Sequence, residues 1–347
     1  MTLTYWDHVH EDEETLHFNK KAYTDQGRTL CDTAQHRFGH IVKTYALISM
    51  AFIVLIAMEG IFFLGFMTTL SRSSMLAVSL AVLFLTVFAY FIMKLYISTK
   101  KPEQLLDLRE KYLDACKDFI KYQEGLPEHH IALAHAAVKL AESLNMRQYN
   151  YYIPPKWLDV AADTMEMFSC WWHWHDVLSM RELMLSFAIE EHISVIKTEP
   201  TNLELHAALA NAYVMLSGLY INPRTVEGYD EDKWIPPQRM SASMKEKFES
   251  TAQKAIEEFT ILNDYAPNDP WVHSQLAYSY HDLRMPEKEI EQYEIILKLM
   301  PEDPEILYKL GILYFQEGMT AKGLQIYEIL RGKSQKKATQ LITFYGV

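Results

Sequence analysis

The stretch Cys170–Asp176, CWWHWHD, holds a thiol, two imidazoles, a carboxylate and three indoles. Glu166, Cys170 and His173 are spaced by four and three residues, so a helix would place these three candidate metal ligands on one face. His173 and His175 are two residues apart, which on a helix puts them on opposite sides. Because the spacing indicates no fourth ligand, we expect no metal here. We interpret the stretch as an aromatic surface with both histidines at its polar rim.

Other histidines raise the same question about metal. The N-terminal stretch WDHVHEDEETLHF, 6–18, carries His8, His10 and His17 among acids, and we interpret it as a mobile acidic terminus. HRFGH, 36–40, has helical i, i+4 spacing but lacks the Glu of the zinc-protease motif HExxH, which favours packing at an interface. The chain contains no GxxxxGK[ST], GxGxxG or GxSxG motif. We therefore predict no catalytic residue, no metal and no cofactor.

A long apolar region lies between His40 and the Cys170–Asp176 stretch. SRSS at Ser71–Ser74 divides it into two runs, which predict helices over 44–70 and 74–97. Each exceeds the ~20 residues that cross a ~30 Å hydrocarbon layer, so 44–97 is predicted to be a transmembrane hairpin. Basic residues flank both ends of the hairpin, whereas its turn has only Arg72. This bias predicts an integral two-pass protein with both termini in the cytoplasm, and a bacterial inner membrane as its location.

One carboxylate interrupts the first apolar run. Glu59 falls near the middle of that helix, where a charged side chain costs about 3 kcal/mol or more. Thr86 lies at a similar depth on the antiparallel helix, so we predict a hydrogen bond between Glu59 and Thr86. The pair also suits a polar contact between copies of the protein, that is, a homo-oligomer.

The clearest internal pattern is a repeat of 34 residues between the segments that begin at Pro270 and Pro304. The repeat aligns large, small and aromatic residues: Leu276 with Leu310, Ala277 with Gly311, Tyr280 with Tyr314, and Tyr293 with Tyr327. Upstream positions continue the same pattern: Leu209, Ala210, Tyr213, Ala255 and Phe259. Small residues at fixed positions let paired helices approach closely, and larger ones fill the space between them.

These residues resemble the tetratricopeptide repeat (TPR), a helix hairpin of 34 residues. The resemblance implies an all-α fold: the transmembrane hairpin, then a TPR-like α-solenoid of about five helix pairs and a capping helix at 333–345. Four more helices are expected over 103–123, 130–146, 157–174 and 177–198. The expected organisation is a polar cytoplasmic segment 1–43, the hairpin 44–97, a degenerate repeat region 101–200, and clear repeats with the cap over 201–347. Glu289 and Gly323 replace the usual Ala, which predicts looser packing there.

The TPR resemblance also implies that the solenoid binds proteins without chemistry of its own. The candidate groove residues are Asn211, Gln275, Tyr278 and Lys309. The insertion 221–243 adds two candidate contact residues on a loop, Tyr229 and Trp234. Asn211 occupies the position of an Asn that clamps C-terminal carboxylates in relatives, but Ala207 replaces the companion lysine. We therefore do not predict that ligand class.

Charge and cysteine content limit the classes of partner and the cellular compartment. Residues 101–347 hold 25 basic and 37 acidic side chains, which accounts for the whole net charge of −12 and argues against nucleic acid as a partner. The three cysteines are far apart, which favours free thiols in a reducing compartment. The leading prediction is a membrane-anchored adaptor that binds a protein. The alternatives are a secreted effector resembling chlamydial inclusion-membrane proteins, and a metal-dependent enzyme using the Cys170 region.

Overall fold

The structure is a computed structural model, and it describes residues 20–67, 75–154, 160–225 and 233–346. Within these ranges the chain forms eleven α-helices and no β-strand. The helices are α1 Lys20–Gly65, α2 Met75–Ile120, α3 Pro127–Ser143, α4 Ala162–Ile196, α5 Leu203–Tyr220, α6 Ala242–Tyr265, α7 Pro270–Asp282, α8 Pro286–Leu299, α9 Pro304–Gln316, α10 Thr320–Lys333 and α11 Gln335–Leu341. The N-terminal histidines at 8, 10 and 17 and the SRSS turn lie outside the described residues.

Successive helices pack in pairs, α1 with α2 and so on to α9 with α10, and α11 covers the end of the stack. The predicted all-α solenoid is therefore confirmed. Local sequence sets where the later pairs begin. The side chains of Asn202, Asp269 and Asp303 each accept a hydrogen bond from a backbone N–H in the first turn, at 3.1, 2.9 and 2.8 Å. Proline follows at the first position of α7 and α9, where its missing N–H costs nothing.

The first pair, α1 and α2, is long and apolar enough to cross a membrane. None of the most apolar stretch of either helix is buried within the protein. The hydrogen bond predicted inside this pair is present, since Thr86 Oγ1 donates to Glu59 Oε1 at 3.0 Å. The other carboxylate oxygen, Glu59 Oε2, is buried without a partner among the described residues.

Helix α1 does not end where the apolar region begins. It runs without a break from Lys20 through the predicted boundary at residue 43, so that boundary does not coincide with a helix end. In the polar half of α1, the side chains of Cys31, Ala34, Phe38 and Val42 are at most 4% exposed and pack against α2, α3 and α4. This half of α1 is thus part of the solenoid core.

Two predicted helix breaks are wrong. The expected helices 74–97 and 103–123 are the single helix α2, which continues through Pro102. A proline inside a helix costs about 3 kcal/mol, but burial of Leu105, Leu108 and Tyr112 just beyond it holds the helix in place. The expected helices 157–174 and 177–198 are likewise the single helix α4, because 162–196 contains neither Gly nor Pro to end it.

The predicted packing residues of the repeats lie between the helices. Most are less than 5% exposed, Gly311 is buried with them, and Tyr213, Tyr280 and Tyr327 are half-buried beside them. The predicted looser packing at Gly323 is wrong. A Cβ atom there would lie 2.5 Å from the ring of Phe315, so the missing side chain lets α9 and α10 approach closely. Gly311 plays the same part beneath the cap, where a Cβ atom would lie 2.6 Å from Leu341.

Candidate functional site

Tyr278 and Lys309, two of the predicted groove residues, meet on the first helices of neighbouring pairs. Lys309 Nζ on α9 donates to Tyr278 Oη on α7 at 2.9 Å and lies 4.6 Å from the centre of the Tyr278 ring. It also lies 6.0 Å from the ring of the buried Tyr293. Together these contacts fix the lysine in place on a face that we call the α7–α9 face, formed by Gln275, Tyr278 and Lys309.

The α7–α9 face offers groups that a partner could use. Tyr278 is 43% exposed, and Lys309 and Gln275 are partly exposed. No carboxylate among the described residues lies within ion-pair distance of Lys309, although the surrounding protein is acidic. An oriented ammonium beside an exposed aromatic ring can bind a carboxylate and an apolar side chain together.

Other lysine ammonium groups also lie over tyrosine rings along the solenoid, where they join neighbouring helices. Four further pairs join neighbouring helices with 5.0–5.7 Å between the ammonium and the ring centre: Lys247 with Tyr220, Lys254 with Tyr213, Lys288 with Tyr280 and Lys322 with Tyr314. At the last pair, hydrogen bonds from Tyr314 and Lys322 lower the pKa of Glu294. Such contacts contribute about 0.5–1 kcal/mol each and stabilise the stack.

The remaining predicted contact residues are dispersed. Asn211 is partly exposed on α5, and its side chain makes no hydrogen bond to the described residues. Trp234 lies in the insertion, and its backbone oxygen accepts a hydrogen bond from Tyr149 Oη at 3.2 Å, which ties the insertion to the loop that follows α3. Tyr229 lies outside the described residues.

The described ends of the insertion fold back onto the solenoid. Ile235 and Pro236 are buried, and the Arg239 guanidinium donates to the backbone oxygen of Leu219 at 3.0 Å. Between these ends and the C-terminus of α7 lies a cleft of about 450 Å³. Its polar lining includes Arg239, Lys245 and Arg284. Sequence reasoning missed this cleft because only the tertiary fold brings the insertion to α7.

A smaller cavity of about 30 Å³ lies on the other side of Arg239 and is also lined by Arg181 of α4. Burial, aided by Arg239, lowers the pKa of Arg181 to about 10. Both guanidinium groups donate to backbone oxygens, of Ala141 and Leu219, and neither forms an ion pair with a carboxylate among the described residues. The cavity has room for a water molecule or two, so we interpret it as part of the packing between α4 and the insertion.

The aromatic stretch of α4 is partly core and partly surface. The prediction that His173 lies at a polar rim is wrong, because its side chain is fully buried with Nε2 3.0 Å from Tyr152 Oη. Burial lowers the pKa of His173 to about 4. Trp171 is 56% exposed, whereas Trp172 and Trp174 are half-buried.

Metal binding and nucleophilic chemistry at Cys170 do not fit the surroundings of its thiol. Burial raises the pKa of the Cys170 thiol to about 11, which disfavours the thiolate that binds metal or attacks a substrate. Asp176 is buried and pairs with Lys101 at 2.7 Å. In the part of the chain that the structure describes, no three His, Cys, Asp or Glu side chains are grouped as metal ligands.

Comparison with known proteins gives structural neighbours only. No protein-family model matches the chain, and no curated protein sequence matches it. The crystal structure of TTC0263, a thermophilic TPR protein in Thermus thermophilus, is 17% identical over 70% of this chain and 93% of that chain, with a TM-score of 0.33. MamA AMB-1 is 13% identical over 64% and 93%, with a TM-score of 0.31. The P58(IPK) TPR domain is 14% identical over 93% and 97%, with a TM-score of 0.22. This chain itself has the features of a TPR-type solenoid: its helices are paired, the pairs that begin at Pro270 and Pro304 are spaced by 34 residues, and small residues lie between the packed helices. Two long apolar helices lie at the start of the solenoid.

Proposed function

We propose that this protein is a membrane-anchored scaffold. Its apolar helix pair holds a TPR-type solenoid at the cytoplasmic face of a membrane, which we expect to be a bacterial inner membrane. The solenoid binds a protein partner. The observation that carries the proposal is that α1 and α2 are continuous helices. Each is apolar and exposed at one end and packed into the solenoid core at the other. Confinement to a surface raises the effective concentration of any partner already there.

The exposed side chains of the apolar pair support the membrane part of the proposal. Leu47, Val54, Phe62, Phe84 and Phe88 are all more than half exposed, and many similar residues surround them. A soluble protein seldom exposes a continuous apolar surface of this size, because its contact with water is unfavourable. A lipid bilayer removes that surface from water.

Alkaline extraction tests the anchor. Because two apolar spans bind lipid by burial and not by charge, we expect the full chain to stay in the membrane pellet after a carbonate wash at high pH. Release into the supernatant would show that the attachment is peripheral, and it would contradict the anchor.

The α7–α9 face supports the binding part of the proposal. Changing Tyr278 and Lys309 together to Ala removes the exposed ring and the oriented ammonium. We expect this variant to bind its partners about 10-fold or more weakly, which corresponds to ~1.4 kcal/mol. Proximity labelling from the C-terminal end of the full chain, in the native cell, measures which neighbours are lost.

A matched variant controls for the loss of a tyrosine and a lysine. Tyr265 is 60% exposed at the end of α6 and Lys336 is exposed on α11, so Tyr265→Ala with Lys336→Ala removes the same groups away from the α7–α9 face. The control should keep the wild-type set of neighbours. If both double variants label the same proteins as the wild type, partners do not bind through this face.

A further inference from the structure

Four apolar side chains are exposed on the first turns of α4 and in the segment before it, and we call them the apolar ridge. They are Met167 at 42% and Trp171 at 56% on α4, and Ile153 at 78% and Val160 at 102% before it. We propose that this ridge is a second membrane contact, which lies among the phospholipid headgroups of the bilayer that α1 and α2 cross. The inference rests on the proposed membrane anchor and assigns a further part of the chain to the lipid surface.

Hydrogen bonds between α1 and α3 set the direction of the chain. Cys31 Sγ lies 3.9 Å from the backbone oxygen of Lys139, and Gln35 Nε2 donates to that of Ser143 at 2.8 Å. Residue numbers thus increase together along α1 and α3. The C-terminal end of α3 therefore points toward the end of α1 that enters the apolar pair.

Contacts between α3 and α4 run the other way. Glu191, late in α4, lies against His130 at the start of α3, while Arg181 donates to the backbone oxygen of Ala141 near the end of α3 at 3.0 Å. Helix α4 is therefore antiparallel to α3 and to α1. Its N-terminal end, which carries Met167 and Trp171, points toward the membrane.

Two lysines at the base of the apolar pair fix the level of the ridge. Lys43, just before the first apolar run, lies 5.7 Å from the ring centre of Tyr151, and Lys101, just after the second, pairs with Asp176 at 2.7 Å. Trp171 is five residues before Asp176 on α4, or ~7 Å along a helix that rises ~1.5 Å per residue, which is about the thickness of one headgroup layer. The ridge therefore extends from the level of these lysines toward the bilayer.

The composition of the ridge suits the headgroup region better than the hydrocarbon core. Trp171 packs on Trp172 at 5.1 Å between ring centres, giving a rigid aromatic group of the kind enriched at membrane interfaces. Asp163 is also exposed in the first turn of α4, and burying its charge in hydrocarbon would cost several kcal/mol. At headgroup depth the apolar side chains leave water while the carboxylate stays hydrated.

Depth-dependent quenching tests this contact in the full chain. All three native cysteines are buried, so a single new cysteine can carry an environment-sensitive NBD label. The ridge is labelled through Met167→Cys and, as an independent site, Ile153→Cys. Matched positions are Leu55→Cys in α1 and Ile329→Cys in α10, since both native side chains are 46% exposed.

The labelled proteins are reconstituted into vesicles of phosphatidylcholine with a minor fraction of phosphatidylglycerol. In one set of vesicles the lipids carry a doxyl quencher on an acyl carbon close to the headgroup, and in a second set the quencher is on a mid-chain carbon. We expect the shallow quencher to quench both ridge labels, the mid-chain quencher to quench the label at position 55, and neither to quench the label at position 329.

The remaining outcomes separate the ridge from the anchor. Quenching at position 55 without quenching at 153 and 167 would overturn the ridge contact and leave the anchor standing. Absence of quenching at all four positions would overturn the proposed membrane anchor itself, and the ridge contact with it.

Discussion

A Phe38→Ala variant is expected to lose about 3–5 kcal/mol of unfolding free energy, the usual cost of removing a buried aromatic ring. Phe38 is 1% exposed and lies in the core formed by α1 to α6. The loss follows from the continuity of α1, because Phe38 lies on the polar side of the apolar region and still packs against the solenoid. Denaturant titration of the detergent-solubilised protein, followed by helical circular dichroism, measures the change.

Phe84→Ala is the matched control. Phe84 is 67% exposed on the apolar part of α2, so the same substitution should change the unfolding free energy by less than about 1 kcal/mol. Phe38→Leu keeps much of the buried volume and should cost less than the alanine variant. Equal stability of Phe38→Ala and the wild type would mean that residues 25–43 are not part of the folded core.

A Lys101→Met variant is expected to lose about 3 kcal/mol of unfolding free energy at neutral pH. Asp176 has a 5% exposed side chain, and removal of its ammonium partner leaves a buried carboxylate unpaired. The cost lies at the low end of the range for buried pairs because a quarter of the Lys101 side chain reaches solvent. The second carboxylate oxygen of Asp176, Oδ2, already lacks a partner among the described residues.

The effect should depend on pH in a definite direction. Burial raises the pKa of Asp176, and the Lys101 ammonium offsets only part of that rise. A raised pKa in the folded state means that the folded protein binds this proton more tightly than the unfolded chain. The resulting stability is fully present below the unfolded pKa of ~3.9 and is lost as the pH rises through the folded value. Lys101→Met raises that value further, so its cost should shrink as the pH falls.

Two further variants isolate the buried charge. Asp176→Asn in the Lys101→Met background removes the carboxylate and should recover much of the lost stability. Lys111→Met breaks the exposed pair with Asp107 on the same helix, where the side chains are 60% and 56% exposed, and should cost less than about 1 kcal/mol. A cost for Lys101→Met that equals that of Lys111→Met, with no pH dependence, would contradict the assignment of a buried charge to Asp176.

Agreement between prediction and structure depends on the range of the interactions involved. Periodic patterns with a local cause were read correctly: the apolar runs, the 34-residue repeat, and the opposite orientations of His173, which is buried, and His175, which is exposed. The predicted break at Pro102 is wrong because burial of side chains against neighbouring helices outweighs a local cost of about 3 kcal/mol. The predicted break near Asp176 rested on the expected alternation of paired helices, and no local sequence in 162–196 ends the helix there.

The all-α class, the paired helices with small residues between them, and the apolar pair with its Glu59–Thr86 hydrogen bond all follow from the amino-acid sequence, because each depends on residues at a fixed spacing along a helix. Three other facts required the folded chain: α1 belongs to the solenoid core, Lys309 meets Tyr278, and the start of α4 points toward the end of α1 that enters the apolar pair. Each of these joins helices far apart in sequence, and packing of complete helix surfaces, not local periodicity, selects such neighbours.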